Sequence, residues 1–209
     1  MQSPQIKNKN SGFTLVEVMI ATGLFVVIMT VGIGLLLEVN RSHKLQARMR
    51  ATLDTLSDTM EDMARNIRVG TNLHCSNDLS DVTAPVDCIP IGTTSQGSST
   101  LALEGLNGDP NTPDDQIIYK IDHVGTGQVY GLYKKSRSDA FGTWRQITPD
   151  LVEINVLESG FSVTGSKLDD KIQPHTIIRL AGQVRFQNIS IPFSIQTSVT
   201  QRTQETIIP

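Results

Sequence analysis

The chain has 209 residues, 38% of them hydrophobic and 19% charged, with two cysteines and 21 acidic residues against 18 basic ones. That length suits one globular domain plus an extended element, and the composition excludes wholesale disorder. The acidic balance speaks for a solvated acidic surface and against general nucleic-acid binding.

Residues 1–12 are polar and basic, with Lys7 and Lys9 and no acid, and Asn8, Asn10 and Ser11 work against a helix before Gly12. Val18 to Leu37 is an unbroken run of uncharged, apolar or small residues. At about 1.5 Å per residue it is long enough to cross a hydrocarbon core of about 30 Å as one helix. A secretory signal would need a small-residue cleavage site behind such a run. Gly32-Ile33-Gly34-Leu35 offers none and Glu17 spoils the apolar region, so cleavage ahead of the run fits better. A carboxylate at the mouth of the run costs free energy unless it finds a partner, which marks Glu17 as a functional residue.

The segment Gly12-Phe13-Thr14-Leu15-Val16-Glu17, behind a basic leader and ahead of an apolar helix, resembles the cleavage and methylation signal of type IV prepilins and type II secretion pseudopilins. The resemblance implies a prepilin peptidase that cuts after Gly12 and N-methylation of the new Phe13 amine. It also implies that Glu17 neutralises the N-terminal amine of a neighbouring subunit and so sets axial register. Residues 1–12 are then a leader peptide and 13–37 a transmembrane and assembly segment, with lipid around it before it joins other pilin or pseudopilin subunits. A product starting at Phe13 keeps 16 basic residues against 21 acidic ones, a formal charge of −5. The charges flanking the run pull the other way: Arg41, Lys44, Arg48 and Arg50 follow it and only Lys7 and Lys9 precede it. Counted alone, they place the large domain in the cytoplasm. The motif and the cysteine pair argue instead for a single pass through the cytoplasmic (inner) membrane with an extracytoplasmic head.

Beyond the run, Leu45, Met49, Leu53, Leu56, Met60, Met63 and Ile67 recur at steps of three and four, one apolar stripe on a helix. No proline interrupts Phe13 to Val69, and Gly70 behind Arg68 is a stop signal. The pattern predicts one continuous helix of about 55 residues, apolar all round at first and amphipathic over 38–70. Gly23, Gly32 and Gly34 lie in the apolar half, where glycine permits close helix approach.

Cys75 and Cys88 follow the helix. In an exported domain they most simply form one disulfide, the alternative being two buried thiols. The stretch from Thr71 to Thr100 reads as loop, rich in Asn, Pro, Gly, Ser and Thr. Strands are predicted at 101–104, 116–121, 128–133, 143–147, 151–157, 161–163, 176–180, 183–186 and 193–199, alternating as antiparallel sheet. The fold class is α+β, a long N-terminal helix packed on an antiparallel β-sheet head over 71–209. The resemblance implies the same pilin-like arrangement. The size of the head and its Gln196 to Arg202 tail look like the larger minor pseudopilins of the J or PilW type.

Asp109, Asn111, Asp114 and Asp115 gather hard oxygen ligands in a turn-rich loop that could hold calcium, although the spacing fits no EF-hand and a solvated turn is the default. Tyr130, Tyr133, Lys134, Lys135, Arg137, Trp144 and Arg145 mix aromatic and basic side chains as single-strand-binding surfaces do. Alternation along a strand sends them to opposite faces, so core aromatics and solvated cations are expected instead. His43, His74, His123 and His175 are scattered, and no hydrolase, zinc-protease, P-loop or dinucleotide motif occurs. The expectation is a non-enzymatic minor pilin or pseudopilin without a cofactor. The rival is a signal-anchored extracytoplasmic binding domain or enzyme that never polymerises.

Overall fold

The computed structural model describes residues 12–77, 84–88, 98–105, 108, 116–123, 129–136, 143–167, 172–186 and 189–202. The loop Asp109 to Asp115, with its candidate calcium ligands, lies outside the described residues, as does Arg137. The chain divides into two compact units, Met1–Ala47 and Arg48–Pro209. A single helix, α1 (Leu15–Val69), supplies the described secondary structure of the first and opens the second.

Thr14 starts α1. Its hydroxyl accepts the Glu17 backbone N–H at 3.3 Å, satisfying one of the donors that every helix N-terminus leaves free. Within the first unit the apolar side chains turn outward all round the helix, and the most apolar window, of mean hydropathy 2.5, has none of its surface buried.

In the second unit, the remainder of α1 lies against two antiparallel sheets, and the architecture is α+β. The first sheet runs in chain order: β1 (Thr71–Ser76), β2 (Thr100–Glu104), β3 (Gln116–His123), β4 (Tyr130–Lys135) and β5 (Arg145–Gln146). In the second, β8 (His175–Phe186) is central. β9 (Ile189–Thr200) pairs with β8 along its whole length, from Phe186 opposite Ile189 to His175 opposite Thr200. The other edge of β8 is shared end to end: β7 (Gly160–Thr164) meets His175 to Arg179, and β6 (Val152–Ile154) meets Gly182 to Val184.

Four apolar residues of the helical stripe, Leu56, Met60, Met63 and Ile67, are buried together with Leu73, Leu101, Leu103, Tyr119, Phe161, Val163, Ile178 and Leu180 in one cluster that draws on both sheets. Burying each such large side chain contributes about 1.5–3 kcal/mol. A polar cluster sits beside it. The Asn66 amide donates to the Tyr119 hydroxyl at 2.7 Å, and Lys134 Nζ lies 2.8 Å from Asp62. Burial pushes the Tyr119 phenol well above its usual range, and the Asp62 charge and hydrogen bond push the same way against the lowering effect of Asn66.

The C-terminal end of α1 is closed from far along the chain. Gly70 N–H donates to Asn66 O at 2.8 Å and Arg202 N–H to Arg68 O at 2.9 Å. The buried Gln201 amide donates to Gly70 O at 2.9 Å. Gly70 is demanded by space: a Cβ there would sit 2.4 Å from Leu103 Cδ1 and 2.7 Å from Glu104 O. Positive φ falls two residues later, on Asn72 at 54°.

Three expectations need correction. The stretch from Thr71 opens with a strand, β1, that lacks an apolar run of its own and is held by pairing with β2 and by an isolated parallel bridge from His74 to Val86. The separate strands expected at 176–180 and 183–186 are one, β8, because Gly182 is a point of close approach and not a turn. A Cβ on it would lie 2.0 Å from the Glu153 carbonyl oxygen. The last strand begins at Ile189, ahead of Pro192, since a strand that pairs on one side among the described residues tolerates a proline whose missing donor faces outward.

Candidate assembly site

Gly12, Phe13 and Glu17 are all exposed at the start of the chain's apolar helix, Phe13 to 83%. Thr14 and Glu17 stand in the Ser/Thr-x-x-Glu spacing of a capping box, which places Glu17 in the first turn, where the helix dipole favours an anion. Among the described residues the Glu17 carboxylate has neither a hydrogen-bond nor an ion-pair partner. The carboxylate therefore stands at the head of an apolar surface with no partner among the described residues.

Behind it, the helix keeps its polar side chains to itself. Thr22 donates to Val18 O at 2.9 Å, and Thr30 donates to Val26 O at 2.8 Å. Such bonding to the preceding turn hides a hydroxyl from an apolar surrounding. At Gly23, Gly32 and Gly34 an added Cβ would meet nothing within 4 Å, so no contact among the described residues requires these glycines. Exposed leucines, valines and isoleucines surround them, from Val18 at 50% to Leu36 at 71% exposure. A helix that is apolar all round needs lipid or like helices around it.

A family model described as a prokaryotic N-terminal methylation motif matches residues 7–33. The chain carries the type IV pilin and pseudopilin signature. In a pilin-like chain the motif implies processing by a prepilin peptidase and assembly with other pilin subunits. An apolar helix bearing it at the N-terminus fits a membrane-anchored pilin. Neither the curated proteins nor the solved structures contain a match to this chain.

The second unit carries the other candidates. Cys75 and Cys88 are disulfide-bonded, with Cα atoms 5.5 Å apart. Their position gives the bond a wider reach than the loop it closes. Cys75 belongs to β1 of the first sheet, while Cys88 N–H donates to Val163 O of β7 in the second, at 3.0 Å. Between them Cys75 N–H donates to Val86 O at 3.0 Å and Val86 N–H to Leu73 O at 3.1 Å. Asp87 accepts the Ser166 N–H at 2.8 Å and the Ser166 hydroxyl at 2.7 Å. Residues 84–88 thus form a seam between the sheets.

The aromatic and basic residues of β4 and β5 do not form one surface. The Tyr133 hydroxyl is 3.1 Å from Gln146 Oε1 and its ring is buried, while neighbouring Lys134 turns to Asp62 on α1. Trp144 and Arg145 are exposed. Burial first, then the charges of Asp122 and Asp150, raise the Tyr133 phenol. Burial alone would raise Asp122 as well, but hydrogen bonds from Lys120 and the His123 N–H, with the charges of both residues, hold it below the usual carboxylate range. His74 is buried with Nδ1 2.6 Å from Ala84 O, and the His123 ring meets Tyr130 edge-on at 5.3 Å. Among the described residues no three His, Cys, Asp or Glu side chains gather as a metal site.

Proposed function

We propose that the chain is a minor pilin or pseudopilin, a structural subunit of a type IV pilus or type II secretion-like filament, cut after Gly12 and N-methylated on Phe13. The observation that carries this reading is Glu17, unpartnered among the described residues at the head of a wholly exposed apolar helix within the methylation motif. A neighbour's N-terminal amine is the complementary charge, and pairing in an apolar core fixes register because an unpaired charge there is costly. Before assembly the subunit spans the cytoplasmic (inner) membrane once, with its head extracytoplasmic. Afterwards the same helix lines a filament in the periplasm or at the cell surface. The Cys75–Cys88 bond supports that orientation, since disulfides persist in oxidising compartments. The role is architectural, not catalytic.

Mass spectrometry of the protein purified from its native membrane tests the reading. The expected N-terminus is a methylated Phe13. An intact leader would instead support an anchored extracytoplasmic domain that never polymerises.

A further inference from the structure

Two stripes of like charge run along α1 beyond its apolar half. Arg41, Lys44 and Arg48 follow the apolar run at spacings of three and four, on one helix face. Asp54, Asp58 and Glu61 follow at spacings of four and three, also on one face. All six side chains are exposed. Like charges three or four residues apart on a helix repel each other, so each stripe is a local cost. Among the described residues little offsets it. Glu61 pairs with Arg65, both of them about three-quarters exposed, and Arg48 stacks 4.6 Å from the centre of the Phe186 ring. Among the described residues Arg41, Lys44, Asp54 and Asp58 have no ion-pair partner. The basic stripe also sits where the positive-inside rule would not put it in a protein whose head is extracytoplasmic.

We propose that the basic stripe of one subunit docks on the acidic stripe of a second copy of this chain, packed parallel to it, an inference that rests on the filament reading above. Arg41 matches Asp54 after a shift of thirteen residues, Lys44 matches Asp58 after fourteen, and Arg48 matches Glu61 after thirteen. One register satisfies all three pairs, at about 20 Å of axial stagger for the standard helical rise. Arg48 keeps the edge of its guanidinium for Glu61 while its face covers Phe186. The contact is heterologous, using one patch on each copy, so it propagates as an open array and does not close on itself. Glu17 meeting a neighbour's Phe13 corresponds to a shift of only four residues. The two contacts therefore address different neighbours, and together they define a helical lattice.

The test uses two co-expressed full-length copies, one with Glu38→Cys and the other with Ala51→Cys, positions that share the thirteen-residue shift and are both exposed. A short bismaleimide reports their proximity in membranes and in sheared filaments, while Cys75 and Cys88 stay unreactive in their disulfide. Cross-linked dimer is expected between otherwise unaltered copies. R41E/K44E in the Glu38→Cys copy, or D54K/D58K in the Ala51→Cys copy, should each lower the yield by about tenfold or more. Both reversals together should restore it to within about twofold. Loss on reversing only the basic stripe, without rescue, would assign that stripe to anionic lipid headgroups and overturn the proposal. Equal yield in all combinations would overturn it too. A methylated Phe13 with no cross-link between 38 and 51 defeats this contact alone, whereas an unprocessed leader defeats the filament reading and the contact with it.

Discussion

Removing the Cys75–Cys88 bond should destabilise the head by about 3 kcal/mol. The bond spans a sequence separation of 13, and the chain-entropy relation for a loop of that size gives ~3 kcal/mol of lost constraint on the unfolded chain at 25 °C. The perturbation is the double substitution Cys75→Ala/Cys88→Ala in the full chain held in detergent. Neither change removes a backbone bond of the seam, because Cys75 N–H still has Val86 O and Cys88 N–H still has Val163 O. Trp144, the single tryptophan, lies in the head and reports its unfolding without interference from the apolar helix. With a urea slope of about 2 kcal/mol/M, the midpoint should fall by about 1.5 M at unchanged slope. An unchanged midpoint would refute the reasoning, and would mean that residues 75–88 are equally confined with and without the cross-link. Dithiothreitol on the parent protein should reproduce the shift, and on the substituted protein it should do nothing.

Glu17→Ala should leave cleavage after Gly12 and Phe13 methylation intact, while incorporation into sheared filaments falls at least about tenfold; normal incorporation would contradict the role given to the carboxylate. Gln201→Leu keeps the size of the side chain, removes the buried donor to Gly70 O and should cost about 1–3 kcal/mol in the same urea titration. A loss below about 0.5 kcal/mol would mean that another donor takes over that carbonyl. Alkaline titration followed by phenolate absorbance should show Tyr119 protonated past the usual phenol range for as long as the head stays folded. Its folded pKa is raised, so its contribution to stability is complete below pH ~10 and is lost as pH climbs toward the folded value. Tyr119→Phe should flatten that alkaline decline, and an unchanged slope would sink the assignment.

How much of this was open to the sequence follows from how local each cause is. The helix was legible because its signals are contiguous: a proline-free run, an apolar stripe at steps of three and four, and Gly70 behind it. The motif residues Gly12, Phe13 and Glu17 were legible for the same reason. The Thr14 cap is equally local, as Thr-x-x-Glu before an apolar run. The alternating strands showed through, whereas β1 did not, because Thr71-Asn72-Leu73-His74-Cys75-Ser76 becomes a strand only by pairing with β2 and Val86. Gly182 looked like a turn since glycine signals both turns and close approach, and only the position of Glu153 separates the two. The closure of α1 by Gln201 lies 131 residues from Gly70, beyond the reach of any local pattern.

The fastenings around the end of α1 share a logic. The helix enters the head at Gly70, where no side chain fits, so the backbone there runs hard against Leu103 and Glu104 of the first sheet. Immediately afterwards the chain becomes β1 and is disulfide-bonded through Cys75 to the seam that reaches β7. From the other side Gln201 and Arg202, just past the end of β9, bind the carbonyls of Gly70 and Arg68. Both sheets are therefore tied near the same helix terminus, the first by direct continuation and the second by the Gln201 and Arg202 hydrogen bonds and by the bond from Cys88 N–H, in the disulfide-held seam, to Val163 O of β7. The Gln201 and Arg202 bonds alone, at about 1 kcal/mol each, would hold the second sheet to that helix end by roughly 2 kcal/mol, with the shared apolar core carrying the rest. The disulfide keeps Cys88, and with it the donor to Val163 O, beside β1 when such bonds fray.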